Sequence, residues 1–321
     1  MKRNLSKISE EIGYIPDELA ERVKSAADIS WRNFGKKIEF YLPGMFILYG
    51  KRGKYPAVSV TGAECELQCK HCKGKLLKPM PPARNSEELL ALAKKWKNDG
   101  IEGILLSGGS TKDGYVPLYP ILPAVPKLKE MGFYISAHTG YATPELAKAV
   151  AKAGVDQVLI DVVGDDETMR NILNLDGGVA LVERSLDALF DEGLYVAPHI
   201  IIGLDGKIKG EYNALELLKK YPIKILEYVV LMPAVAMKND ISPIPISDVL
   251  NILIEGRRMY PDIEQSLGCA RPRGDYRYIL EVWALRAGIN RMALWSDIAI
   301  EEAEKLGLDI SYRYTCCSVS I

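Results

Sequence analysis

Three cysteines fall within eight residues of this 321-residue chain: Cys65, Cys69 and Cys72, spaced C-x3-C-x2-C in ECELQCKHCKGK. Three thiolates can hold three irons of a [4Fe–4S] cube and leave the fourth iron open, whereas ordinary electron-transfer clusters take four cysteines. An open iron can bind a substrate, so the spacing points to catalysis rather than to structural support. The competing reading is a zinc site with His71 as the fourth ligand. Zinc sites more often use ligand pairs spread over two elements, and His71 directly precedes Cys72, which strains simultaneous coordination.

The remaining cysteines form a second set of three: Cys269 in SLGCARPRGDYR, and Cys316 with Cys317 in SYRYTCCSVSI. Three spare thiols invite a second iron–sulfur cluster if the C-terminal tail reaches Cys269. Arg271, Arg273, Ser318 or Ser320 could then fill the fourth position. The competing reading makes Cys269 a small buried hydrophobe and the vicinal pair a frayed tail. A vicinal disulfide is strained and disfavoured in a reducing compartment.

These residues need elements to position them. Apolar runs at 57–62, 101–109, 132–140, 155–164, 194–204, 223–232, 262–270 and 289–294 alternate with helical patterns. Strands this apolar are buried on both faces, which implies a parallel sheet covered by helices. Helix starts are marked at Ser86, read as an N-cap, and at Thr143 followed by Pro144. The expected fold is α/β: a (β/α)8 TIM-type barrel, complete or slightly open, over residues 56–297. Residues 1–55 form a short helical N-terminal extension with a hairpin-like segment. Residues 298–321 supply a C-terminal helix and a cysteine-bearing tail over the barrel mouth. The first cysteine loop follows the first strand, at the face where such barrels place their chemistry.

With 41 basic and 42 acidic side chains the formal net charge is −1, which argues against a nucleic-acid or membrane surface read by bulk electrostatics. No run of about 18 apolar residues is present, and the start MKRNLSKISEEIGYIP lacks the apolar core of a signal peptide. The expected location is cytoplasmic, where clustered cysteines suggest metal or redox chemistry.

The C-x3-C-x2-C loop after the first strand of a βα barrel resembles the radical S-adenosylmethionine (SAM) superfamily over residues 56–295. His71 departs from the aromatic residue usual before the third cysteine. The resemblance implies that Cys65, Cys69 and Cys72 hold a [4Fe–4S] cluster with an open iron site that cleaves SAM. It carries SAM contacts onto His71, the LLSGGS segment (Ser107, Gly108, Gly109, Ser110), the third-strand positions Ser136 and His138, Asp161, and Arg170, whose guanidinium would pair with the SAM carboxylate. An ordinary βα turn at LLSGGS and a solvated helix arginine at 170 are the alternatives. His199, inside an apolar strand, reads as a core residue.

GCARPRG, the complete barrel and the vicinal pair make the chain most similar to the archaeal-type lipoyl synthases of the biotin synthase branch. That resemblance implies a second cluster at Cys269, Cys316 and Cys317 as the sulfur source. It also implies an octanoylated carrier protein or lipoyl domain as substrate, a second lipoyl synthase protein, and an electron donor such as ferredoxin. Two other readings stay open: another radical SAM reaction of that branch, and a non-enzymatic iron–sulfur or zinc protein.

Overall fold

All eight expected apolar runs form strands, and two further strands join them. The computed structural model describes residues 15–233 and 242–319. Its strands are β1 (Lys37–Tyr41), β2 (Ile47–Leu48), β3 (Lys51–Arg52), β4 (Ala57–Ser59), β5 (Gly103–Ser107), β6 (Tyr134–His138), β7 (Gln157–Asp161), β8 (Val196–Ile202), β9 (Ile225–Val230), β10 (Glu264–Leu267), β11 (Arg291–Ala293) and β12 (Asp309–Arg313). β2 and β3 form the expected small hairpin. The other ten make one parallel sheet in the order β12-β1-β11-β10-β9-β8-β7-β6-β5-β4.

The sheet is curled, and it is not a closed eight-stranded ring. β1 and β12 extend it past β11, so segments on both sides of residues 56–297 belong to the same sheet. Between the free edges, the Lys54 N–H donates to the Tyr314 carbonyl at 2.6 Å, while no ladder joins β4 to β12. A wider ring of strands encloses more interior than side chains alone fill. That interior takes the end of the tail. Gln157 Nε2 donates to the Ser318 carbonyl at 2.7 Å, and Arg291 donates to the carbonyls of Cys317 and Val319 at 3.3 Å. Gln157 begins β7, whereas Cys317 packs beside Tyr41 and Ala293, the last residues of β1 and β11, so the tail runs through the interior of the curled sheet. Cys317, Ser318 and Val319 are buried there.

Strand alternation sends one set of side chains to the helices and the other inward. Ile104, Leu106, Ile135, Val158 and Ile160 are fully buried in the main core, which helices such as Ser86–Asn98, Pro144–Ala153 and Gly178–Asp191 share. Thr143 caps its helix as expected, accepting from the Leu146 N–H at 3.2 Å. At the preceding helix the cap is Asn85 rather than Ser86: Asn85 Oδ1 accepts from the Glu88 N–H at 2.9 Å, and the Ser86 hydroxyl donates to the Pro120 carbonyl. Among the described residues no helix is long and apolar enough to cross a membrane. Residues 1–14 of the expected N-terminal extension, and Ser320, lie outside the described residues.

The loop bearing Cys269 is tied to helix Asp275–Arg286 by a buried ion pair. Arg271 donates to Glu281 Oε1 at 2.7 Å and to the Gly268 and Leu294 carbonyls, and both side chains are fully buried. Arg277 reaches the same carboxylate oxygen at 2.6 Å. Glu281→Leu would leave Arg271 buried without its counter-charge, at a cost of about 3–5 kcal/mol. Chemical denaturation of the variant should show a loss of that size.

Candidate active site

The first cysteine loop is wound into successive turns. The N–H groups of Cys72 and Lys73 donate to the Cys69 carbonyl, and that of Lys75 to the Cys72 carbonyl. Gln68 and Lys73 hold left-handed backbone, φ 48° and 47°, a conformation that costs roughly 1–3 kcal/mol per residue unless its surroundings enforce it. Two neighbours enforce it. On one side the Glu66 N–H donates to the Ser110 carbonyl at 3.0 Å, and Glu66 Oε2 accepts from the Lys112 N–H. On the other side the Lys70 N–H donates to the Ile172 carbonyl at 2.8 Å, and Asn174 Nδ2 donates to the Leu67 carbonyl at 2.8 Å.

The three sulfurs border a cavity of about 270 Å³ at the C-terminal ends of β5, β6 and β7. Its wall includes His71, Ser107, Gly108, Gly109, Ser110, His138 and Asp161, so the structure brings together all but two of the candidate SAM contacts. Gly109 has to be glycine: a Cβ there would lie 2.0 Å from the Glu64 carbonyl oxygen and 2.7 Å from Cys65 Cβ. Leu105, Val116, Tyr141 and Leu173 supply the apolar part of the wall. The two exceptions are Ser136 and Arg170. Ser136 is buried beyond the cavity, accepting from the Tyr55 hydroxyl at 2.9 Å. Arg170 is on the surface, 58% exposed and 4.0 Å from Asp176, which is the solvated-arginine alternative.

The second triplet converges in the interior. Cys269 packs against buried Cys317 beside Tyr41 and Ala293. Cys316 Sγ lies 3.3 Å from Ser318 Oγ, and Cys317 donates to Glu227 Oε2 at 3.3 Å. From there a line of ionisable groups runs back to the cavity. His199 Nε2 is 3.6 Å from Glu227 Oε2, and its Nδ1 is 3.7 Å from Asp161 Oδ1, which is 3.7 Å from His138 Nε2. These are ion-pair separations rather than hydrogen bonds. His199 is buried as its apolar strand implies, and Glu227 is the residue of this line that the sequence reading leaves unassigned. The detectable signal was a carboxylate inside the apolar strand ILEYVV. Asn174 carried no such signal.

Burial disfavours charge at each group, and the partners decide the outcome. Burial alone would lift Asp161, but His138 and His199 hold its carboxyl well below the usual range. Burial would lower His199, but Glu227 and Asp161 outweigh it and raise the imidazole to about 9. Burial and the neighbouring thiols push Cys69 up to about 12, and burial with Cys316 and Glu227 does the same to Cys269.

All six thiols are free of disulfides. Among the described residues, His138, Asp161 and His199 are the one trio of histidine, cysteine or acidic side chains whose donor atoms all lie within 4.8 Å of one another. Neither cysteine triplet is that tight. Ligands of a tetrahedral zinc with sulfur bonds sit roughly 3.8 Å apart, so the wider spacing fits an iron–sulfur cluster better than a single zinc. The three thiols gathered on the cavity wall, and His71 Nδ1 buried there without a partner, agree with that fit.

A family model described as "Radical SAM superfamily" matches residues 59–226, just over half of the chain. The chain belongs to the radical SAM superfamily. Membership implies a [4Fe–4S] cluster and SAM, and the C-x3-C-x2-C loop lies within the matched stretch. Among curated proteins, Molybdenum cofactor biosynthesis protein 1 of Drosophila melanogaster is 27% identical over 119 residues, which is 36% of this chain and 20% of that protein. The alignment thus spans about a fifth of that relative. Among solved structures, methylornithine synthase (PylB) shares 15% identity at a TM-score of 0.61, covering 95% of this chain and 93% of its own. The FeFe-hydrogenase maturase HydG from Carboxydothermus hydrogenoformans shares 16% at 0.63, covering 88% and 65%. SuiB of Streptococcus suis, bound to S-adenosylmethionine, shares 10% at 0.51, covering 75% and 58%. At such identities these likenesses speak to the fold, a radical SAM partial barrel.

Gly109→Ala should lower iron retention by about 10- to 100-fold, the scale of lost support around a metal site, read as iron and sulfide per chain after anaerobic reconstitution. The metal-free chain should also show the His199 charge in its stability. A raised histidine stabilises fully below its unfolded value of 6.5, and that contribution is lost as pH rises through about 9. The difference in urea midpoint between wild type and His199→Gln should therefore shrink across that window, and a constant difference would remove the ion-pair assignment.

Proposed function

We propose that this radical SAM enzyme inserts sulfur into an unactivated C–H bond of a protein-bound octanoyl-lysine, in lipoyl formation, with a second related protein. Its substrate would be an octanoylated carrier protein or lipoyl domain, and its electron would come from a donor such as ferredoxin. The observation that carries the reading is the convergence of Cys269, Cys316 and Cys317 in the interior, linked to the cavity wall at Asp161 through Glu227 and His199. A reaction that only rearranges carbon has no use for a second thiol site reached from the first through three side chains.

A cluster on Cys65, Cys69 and Cys72 would supply one-electron reduction and SAM a hydrogen-abstracting group at the first site, and a cluster on Cys269, Cys316 and Cys317 would supply sulfur at the second. The chain's own residues bind, orient and exclude water. Cys65, Cys69 and Cys72 would anchor the first cluster, and their loop is pinned from both sides. Gly108 and Gly109 let backbone approach a ligand closely. His138 and Asp161 offer polar contacts for SAM at the cavity floor. Leu105, Val116, Tyr141 and Leu173 keep that space apolar, which protects a radical from solvent.

Anaerobic reconstitution and iron counting test the reading. Full-length protein should hold about eight irons per chain, and a Cys269→Ala, Cys316→Ala, Cys317→Ala variant about four. Cys65→Ala, Cys69→Ala or Cys72→Ala should abolish 5′-deoxyadenosine formation from SAM. Incubation with SAM, a reductant and an octanoyl-lysine peptide, with and without the partner protein, should add the mass of sulfur to the peptide. Deoxyadenosine without sulfur addition under any of these conditions, with about four irons in the full-length protein, would point to another reaction of the biotin synthase branch.

A further inference from the structure

We propose that Glu227 supplies the oxygen ligand that completes the site of Cys269, Cys316 and Cys317. The inference rests on reading that triplet as an iron–sulfur site, and it concerns the fourth position, for which the sequence offered only arginines and serines.

Glu227 projects inward from the middle of β9, a rigid interior strand, and is 4% exposed. Its Oε2 accepts from Cys317 Sγ at 3.3 Å, so the carboxylate already touches one of the three thiols. Its other oxygen has room because residue 268, next to Cys269, is glycine. A Cβ at that position would come within 2.6 Å of Glu227 Oε1. Glycine therefore lets the carboxylate and the Cys269 backbone share one corner of the interior.

The other candidates are committed elsewhere or are poorer donors. Arg271 is taken up by Glu281 and two carbonyls. Arg273 lies over the Phe46 ring. Ser318 sits near Cys316 and Ser266 Oγ is buried without a partner, but a hydroxyl must lose a proton of high pKa to bind iron as an anion, whereas a carboxylate is an anion at neutral pH. A ligating carboxylate is usually held by a further polar group. His199 Nε2 fills that place, 3.6 Å from Oε2 and otherwise lacking a hydrogen-bond partner. The Arg291 guanidinium, fixed on the Cys317 and Val319 carbonyls, adds positive charge to the same interior.

The test isolates the second site in a full-length chain carrying Cys65→Ala, Cys69→Ala and Cys72→Ala, reconstituted anaerobically with iron-57 and sulfide. Iron and sulfide are counted, and Mössbauer spectra are recorded. With Glu227 intact the chain should hold a cluster with one iron site distinct from the others, as expected for one oxygen among sulfur ligands. Glu227→Gln should lose that distinct site and release iron to a chelator about 10-fold faster or more, given that even lesser changes around metal sites reach that scale. Glu227→Cys should restore retention with the irons made alike. Thermal unfolding of the metal-free variants checks that each still folds, and a misfolded Glu227→Gln leaves the Glu227→Cys spectrum to decide. Unchanged spectra and retention in both Glu227 variants, or loss of the distinct site in Ser318→Ala or Ser266→Ala instead, overturns the assignment while leaving the second cluster standing. No iron in the parent chain overturns the cluster reading and this inference with it.

Discussion

Arg291 and Gln157 reach from the first residues of their strands and take the carbonyls of Cys317, Ser318 and Val319. Peptide groups drawn into a barrel leave water behind and must find partners there, because a buried carbonyl without one costs as much as a lost hydrogen bond. A tail without such donors would stay outside. Once these donors hold it, Cys316 and Cys317 are delivered to the neighbourhood of Cys269. The opening that admits the tail has the same origin as the space that receives it: β1 and β12 extend the sheet past β11, and the two free edges meet at the Lys54–Tyr314 bond instead of along a ladder.

The line Cys317–Glu227–His199–Asp161–His138 then makes two thiol sites into neighbours. Its contacts are 3.3 to 3.7 Å, and in an interior of low effective dielectric such separations give strong interactions. Two carboxylates alone would be expelled by desolvation. Alternating with imidazoles, they are retained, which is why the Asp161 carboxyl is lowered and the His199 imidazole raised although burial acts against both. The buried polar groups are thus the connection between the sites as well as their lining.

Most of the architecture was legible because parallel strands buried on both faces are written as apolar runs. That rule also explains the two omissions. β1 reads KIEFY and β12 reads DISYR, strands at one edge of the sheet with polar inward positions, and neither resembles a buried run. The first site was legible for a similar reason. Cys65, Cys69 and Cys72 are local, and the glycines of LLSGGS follow the neighbouring strand in the same parallel order. Arg170 left two readings open because a position just beyond a strand does not say which way a short helix turns its face, and in the structure it stands on the surface. Asn174 was invisible because nothing in its neighbourhood shows that it will hold a loop about a hundred residues earlier.

The second site depends on contacts that spacing cannot encode. Cys269 and Cys317 are brought together by the registry of β10, β11, β1 and β12, by an opening in the sheet, and by two donors on other strands. Glu227 was nonetheless conspicuous in principle, since an acidic residue in a run that must be buried on both faces needs a compensating partner. In this chain the partners are a histidine on the adjacent strand and a thiol from the tail. A lone charge in an otherwise apolar strand therefore marks an interior polar site before its partners are known. The three histidines obey the same logic: His138 and His199 have carboxylates beside them, and His71, whose Nδ1 has none, stands in the wall of the cavity where a ligand would sit.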